Sequence, residues 1–245
     1  MLSNLEYFTS LDAWAARLAQ PGERWVGGFD MPFGLPRELV QALGWPTDWV
    51  ACMDHYQSLS RADIRSTFKA FCAARPVGHK FAHRATDGPA GSSPSMKWVN
   101  PPVAFMLHAG VPQLRQAGVY LPGLMPLPDQ PPERVALEAY PGLLARAVLG
   151  RRSYKSDDKA RQTPDRRDAR RVLVTALEAG QYAGLRLQLS AEQRALLVSD
   201  ARGDSLDAVL CLLQATWALQ QHKQGAPLYG LPPDMDPLEG WIVGA

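Results

Sequence analysis

The order of apolar and polar positions divides the chain into short elements. Trp25, Val26 and Phe29 form a brief apolar run that reads as a buried strand ending on Asp30. Met31-Pro32 follows at once, and proline has no N–H with which to continue a ladder. A second strand is predicted over Arg134 to Tyr140, with Val135, Leu137 and Ala139 on one face and Ala136, Glu138 and Tyr140 on the other. Pro141-Gly142 breaks it. Helical spacing appears over Ser10–Leu18 with Ser10 as cap, over Arg37–Leu43 with Gly44 as stop, through most of 47–74, and over 103–117. It returns over Leu143–Leu149, stopped by Gly150, and over 165–179 and 190–201. The most apolar helix runs from Asp204 to Gln221, with Leu206, Val209, Leu210, Leu213 and Trp217 spread around it, and a helix apolar on most sides is buried. Short strands are also expected at 2–8 and 240–243.

Between these elements lie a long glycine-, serine- and proline-rich loop, 75–102, and a proline-rich connector, 122–132. No internal repeat or domain boundary interrupts the pattern. The expectation is a single α/β domain over 1–245. An acid at the carboxyl end of a buried strand stands where open α/β sheets place their chemistry, so Asp30 is the first candidate. Glu138 shares its context, near a strand end and just before a proline.

Composition changes this picture little. An apolar content of 46% is ample for a core, and a net charge of +2 does not by itself mark a nucleic-acid binder. The charge is uneven: nine basic residues against four aspartates give segment 151–171 a charge of +5, leaving −3 for the rest. A charge-rich helix face is often only solvated, yet such a segment also suits a phosphate backbone. The three cysteines, Cys52, Cys72 and Cys211, lack paired or metal-ligand spacing, and a reducing cytoplasm is the expected setting. No apolar run reaches the length of a membrane span, and the amino terminus lacks the basic and apolar regions of a signal peptide. Phosphate-cradling glycine motifs and the G-x-S-x-G elbow are absent, and His79 and His83 lack zinc-site spacing.

Six stretches carry a resemblance: G-F-D-M-P-F-G-L-P-R (28–37), H-R-A-T-D (83–87), N-P-P-V-A-F-M (100–106), A-L-E-A-Y-P-G (136–142), S-Y-K-S-D-D (153–158) and D-S-L-D-A-V (204–209). In this order they resemble the domain-of-unknown-function family 429, whose members are predicted RNase H-like nucleases. The resemblance implies an RNase H-like mixed sheet flanked by helices. It also implies a metal-dependent, nuclease-like phosphodiester hydrolase. In such folds, acids from adjacent strand ends and from the start of a late helix hold Mg²⁺ or Mn²⁺. The matching positions are Asp30, Glu138 and Asp207 as metal ligands, with Asp204 as a further catalytic candidate. Arg84, Tyr154 and Lys155 lie in matching segments and are the expected substrate contacts, Arg84 gripping phosphate in a bidentate fashion.

Plainer roles stand beside these. Asp30 suits a turn, Glu138 a pair with Arg134 or Arg146, Asp204 an N-cap, and Arg84 a pair with Asp87 that holds the loop. Asp207 is harder to explain away, because it begins a buried apolar run where a lone carboxylate is expensive. Glu239 reads as a surface acid. The family normally opens with a G-x-D strand carrying the first aspartate, and this sequence has none. Without that hairpin, two strand edges would be exposed, so repair by a partner strand, homo-oligomerisation through those edges, or a longer native chain is expected. The alternative function is a non-catalytic RNase H-like module that binds nucleic acid or a protein through the basic segment and long loop.

Overall fold

In the computed structural model, which describes residues 1–245, two parallel strands form the sheet that carries the candidate site. They are β1 (Trp25–Phe29) and β2 (Arg134–Glu138), in the register Trp25 with Arg134 through Phe29 with Glu138. Their neighbourship is the one expected from the two apolar runs. Tyr120 adds a one-residue parallel bridge on the far side of β2, donating to Arg134 O and accepting from Ala136 N, both at 2.9 Å. β2 is therefore flanked on both sides and almost wholly buried, whereas every residue of β1 is half-buried.

Ten α-helices surround these strands. α1 (Leu11–Leu18), α2 (Arg37–Ala42), α3 (Trp49–Ser58) and α4 (Arg61–Ala73) precede the short α5 (Asp87–Ala90) and α6 (Val103–Gln116). After β2 come α7 (Pro141–Leu149), α8 (Pro164–Glu178), α9 (Ala191–Ser199) and α10 (Asp204–Lys223). Local chemistry sets several boundaries. The Ser10 side chain caps α1, and Ser60 with Asp63 and Ser190 with Gln193 form capping boxes on α4 and α9. Pro141 opens α7, whose first turn needs no N–H there.

Two hydrophobic clusters fill the molecule. One of 33 buried residues is built mainly from β2, α2–α4 and α6, and one of 17 mainly from α7–α10. α10 joins them: Leu206, Val209, Leu210 and Leu213 enter the second cluster, Ala218 the first, and Trp217 packs on both. That double duty explains an apolar surface on most of its sides. α10 also lies hard against β1. A Cβ added to Gly28 would stand 2.4 Å from the Cys211 carbonyl oxygen, so only glycine permits this approach of helix to strand.

Three expectations need correction. Residues 2–8 form no strand; Leu2 makes one ladder-like bond, to Gln188 O at 3.0 Å, and buries its side chain in the second cluster. Segment 240–243 forms none either. Gly240 and Gly244, with φ of 70° and 83°, turn it, and only Val243 N reaches Glu138 O, at 2.9 Å. The sheet is two parallel strands and not a mixed sheet, and the one further partner, Tyr120, is parallel too. No helix is long and apolar enough to cross a membrane.

Candidate functional site

Asp30 follows β1 directly. The chain turns there, with Met31 N donating back to Phe29 O at 2.9 Å, the three-residue turn common at strand ends. Register decides which way the two strand-end acids face. Phe29 pairs with Glu138, so these two share a face, and Asp30, one residue on, leaves on the other. Its face is the α10 face, to which Gly28 also belongs. The two acids nevertheless border one recess, and the charge of Glu138 is felt at Asp30.

Glu138 is part of a buried clasp. Its Oε1 accepts from Arg84 Nη2 at 2.7 Å, and its Oε2 accepts from Arg84 Nη1 at 2.8 Å and from Phe33 N at 2.9 Å. Arg84 also donates to Asp87 Oδ1 from Nε and Nη2, at 3.1 and 3.0 Å, and to the Glu239 carbonyl at 3.0 Å. All five N–H groups of the guanidinium are thus used. Arg84 and Asp87 are buried with Glu138, and Arg84, with every donor taken, has the loop-holding role. Glu138 pairs with it rather than with Arg134 or Arg146. Glu239 is not a surface acid: it is buried, and its carboxylate accepts from Arg37 N and Ala85 N, each at 2.8 Å. The clasp ties the 83–87 loop and the carboxyl-terminal segment to the strand end, and fixes the turn that follows Asp30.

Asp207, on the first turn of α10, faces the other side. Tyr154 Oη donates to its Oδ1 at 2.5 Å, and Lys155 Nζ pairs with its Oδ2. Two arginines of α8 hold that segment in place. Arg166 donates to Lys155 O at 2.7 Å, and Arg170, itself buried, donates to Tyr154 O at 2.6 Å and Val198 O at 2.8 Å. These two basic residues therefore serve structure. Asp204 is not the N-cap; Gly203 holds that position, and Asp200 accepts from Gly203 N and Ser205 N at 3.1 and 2.8 Å. Asp204 is exposed in the first turn, 3.8 Å from Arg202.

Asp30 stands out among these acids because no hydrogen bond or ion pair holds its carboxylate. It is exposed to solvent at the edge of a concave surface whose walls crowd its carboxylate. Desolvation there, then the charge of Asp207 and to a lesser degree Glu138, push its pKa up to about 7, against the opposing pull of Lys155. The same crowding acts on Lys155. Burial lowers its pKa, but Asp207, Asp30 and Asp204 outweigh that and raise it overall.

The surface that holds Asp30 is a cleft of about 610 Å³. Its lining includes the cations Arg146, Arg151, Arg152 and Lys155 and the apolar groups Pro101, Val103, Met106 and Tyr140. A smaller recess of about 80 Å³ adjoins it, reaching from Asp30 to Arg84 and Glu138. Of the four cations, only Lys155 has a carboxylate partner. Arg146 is held by the carbonyls of Ala90 and Gly91, each at 3.0 Å, and stacks over Tyr140 at 5.7 Å. Arg151 and Arg152 were legible only as part of a charged segment. Nothing in the sequence distinguishes them from Arg166 and Arg170, which the fold turns inward.

No three His, Cys, Asp or Glu side chains cluster closely enough to hold a metal ion. Glu138 does not fit, since Arg84 takes both its oxygens. Mg²⁺ and Mn²⁺ are, however, commonly held by one or two carboxylates plus water and substrate phosphate. Asp30 offers a free carboxylate, but Tyr154 and Lys155 take both oxygens of Asp207, so Asp207 does not fit as the second ligand. Compared with known proteins, the chain matches no family model, no curated protein and no solved structure.

Proposed function

We propose that the protein is a nuclease-like phosphoester hydrolase whose reaction is centred on Asp30. The observation that carries this reading is an unbonded carboxylate with a pKa of about 7 in a cleft walled by three arginines that lack acidic partners. A group with a pKa near the working pH suits general base catalysis. Asp30 takes a proton from water as the water oxygen bonds to phosphorus and the opposite P–O bond breaks, with solvent protonating the leaving oxygen. The cationic wall holds the phosphate and offsets charge that builds on its oxygens. The parallel strands, the acid after β1 and the acid-bearing start of α10 support an RNase H-like ancestry, together with the six sequence stretches.

A second reading, a nucleic-acid-binding module without turnover, draws on a specific fact. Glu138 and Asp207 are already neutralised, by Arg84 and Lys155. One experiment separates the two. Cleavage of bis(p-nitrophenyl) phosphate and of a labelled single-stranded oligonucleotide is measured in millimolar Mn²⁺ for the wild type and Asp30→Asn. The hydrolase reading expects cleavage in the wild type and its loss in the variant. Binding without cleavage by the wild type favours the module, and equal cleavage by both proteins removes Asp30 from the chemistry.

A further inference from the structure

Substrate selection lies in the two kinds of group that line the cleft. The basic part sets Arg146, Arg151, Arg152 and Lys155 against only two acids on the same surface, Asp30 and Asp157, and Asp157 lies 3.9 Å from Arg202. Arg151 and Arg152 are exposed, stand in the non-helical segment after α7, and pair with no carboxylate. Their two charges are therefore free for a ligand. The rest of the lining is apolar and partly open: Met106 is 37% exposed, and Val103 and Tyr140, whose ring lies 5.7 Å from the Arg146 guanidinium, are half-buried. A volume of about 610 Å³ lies within the range of small-molecule sites, about 300–1,000 Å³, and accommodates a few linked groups, not a duplex.

We infer that Arg151 and Arg152 hold a phosphate other than the one that reacts at Asp30, and that Val103, Met106 and Tyr140 pack the organic group beside it. The ligand class is a short phosphodiester-linked organic phosphate, with planar or apolar groups between its anions. An aromatic face such as that of Tyr140 stacks on any planar base, and arginine pairs with phosphate in a fork geometry. This inference rests on the phosphoester reading of the cleft but concerns binding alone, so it is tested without turnover.

The test is calorimetric titration of Asp30→Asn, which keeps the walls and removes the proposed base. The probes are a 5′-phosphorylated thymidine dinucleotide and inorganic pyrophosphate. The dinucleotide is expected to bind at least about tenfold more tightly than pyrophosphate, because only it uses the apolar lining. Arg151→Gln/Arg152→Gln is expected to weaken the dinucleotide by about tenfold or more and to flatten its salt dependence. Met106→Ala is expected to weaken the dinucleotide and leave pyrophosphate unchanged. All three substitutions are at exposed positions, and a circular dichroism melt checks that the variants fold. Pyrophosphate binding as tight as the dinucleotide overturns the apolar half of the inference. Unchanged dinucleotide affinity and salt slope in the double arginine variant overturn the basic half. If the dinucleotide binds as expected but the wild type never cleaves it, the hydrolase reading falls and this inference stands.

Discussion

Arg84→Met is the most telling test of how the site is held. The guanidinium is 1% exposed, and the carboxylates of Asp87 and Glu138 are 0% and 3% exposed. Methionine fills similar space but donates nothing, so two buried carboxylates are left facing each other without a cation. Removing one partner of a buried pair costs about 3–5 kcal/mol, because the remaining charge stays buried and unpaired. For a chain of this size each kcal/mol moves Tm by about 2–4 °C, which gives a fall of about 6–20 °C. Urea melts of Arg84→Met, Glu138→Met and the double variant measure the stability directly. The double variant removes both charges of the closest pair, so it should be more stable than the sum of the single losses implies, with a coupling of about 2 kcal/mol or more. Phe33 N still loses its acceptor there, so recovery is expected to be partial. A loss under about 1 kcal/mol in Arg84→Met, or strict additivity in the double variant, would refute the clasp as the element that holds the strand end.

Other outcomes follow from single contacts. Gly28→Ala places a Cβ against the Cys211 carbonyl and is expected to cost about 1–3 kcal/mol, measured by urea melt. Lys155→Met removes the cation that opposes protonation of Asp30, so the acid limb of the pH–rate profile should move to higher pH. In the wild type the folded chain binds the Asp30 proton more tightly than the unfolded chain does. Stability should therefore fall as pH rises from about 4 to 7, and Asp30→Asn should be the more stable protein at pH 8 and lose that advantage below about pH 4, as thermal melts at both pH values would show.

Much of the frame was legible because it obeys local rules. The runs at Trp25–Phe29 and Arg134–Glu138 emerge as parallel neighbours, and α10 is the buried helix its all-round apolar pattern implies. The failures have physical causes. Segments 2–8 and 240–243 have the composition of strands but make only one ladder-like bond each, and pairing is a tertiary fact. The site was half legible. Asp30 and Glu138 border one recess, but Arg84 neutralises Glu138 and Lys155 neutralises Asp207, pairings that the sequence does not reveal. Composition fixes which residues occupy the strand, but only register fixes which residue of β1 stands opposite Glu138. Arg84, Arg166 and Arg170 look like phosphate ligands in sequence, yet their donors meet carboxylates and carbonyls whose positions depend on distant segments. Glu239, far along the chain from the Arg37 and Ala85 amides that it accepts from, gave no local signal at all.

The proposed chemistry depends on Asp30 being a free carboxyl poised near neutrality. Carbon-13 NMR of the aspartate side-chain carboxyls, with the Asp30 resonance assigned by its absence in Asp30→Asn, follows its protonation directly between pH 3 and 9. The expected midpoint is about 7. A midpoint near the ordinary aspartate value of about 4 would contradict the account, since Asp30 would then be a solvated surface acid with no poise for proton transfer.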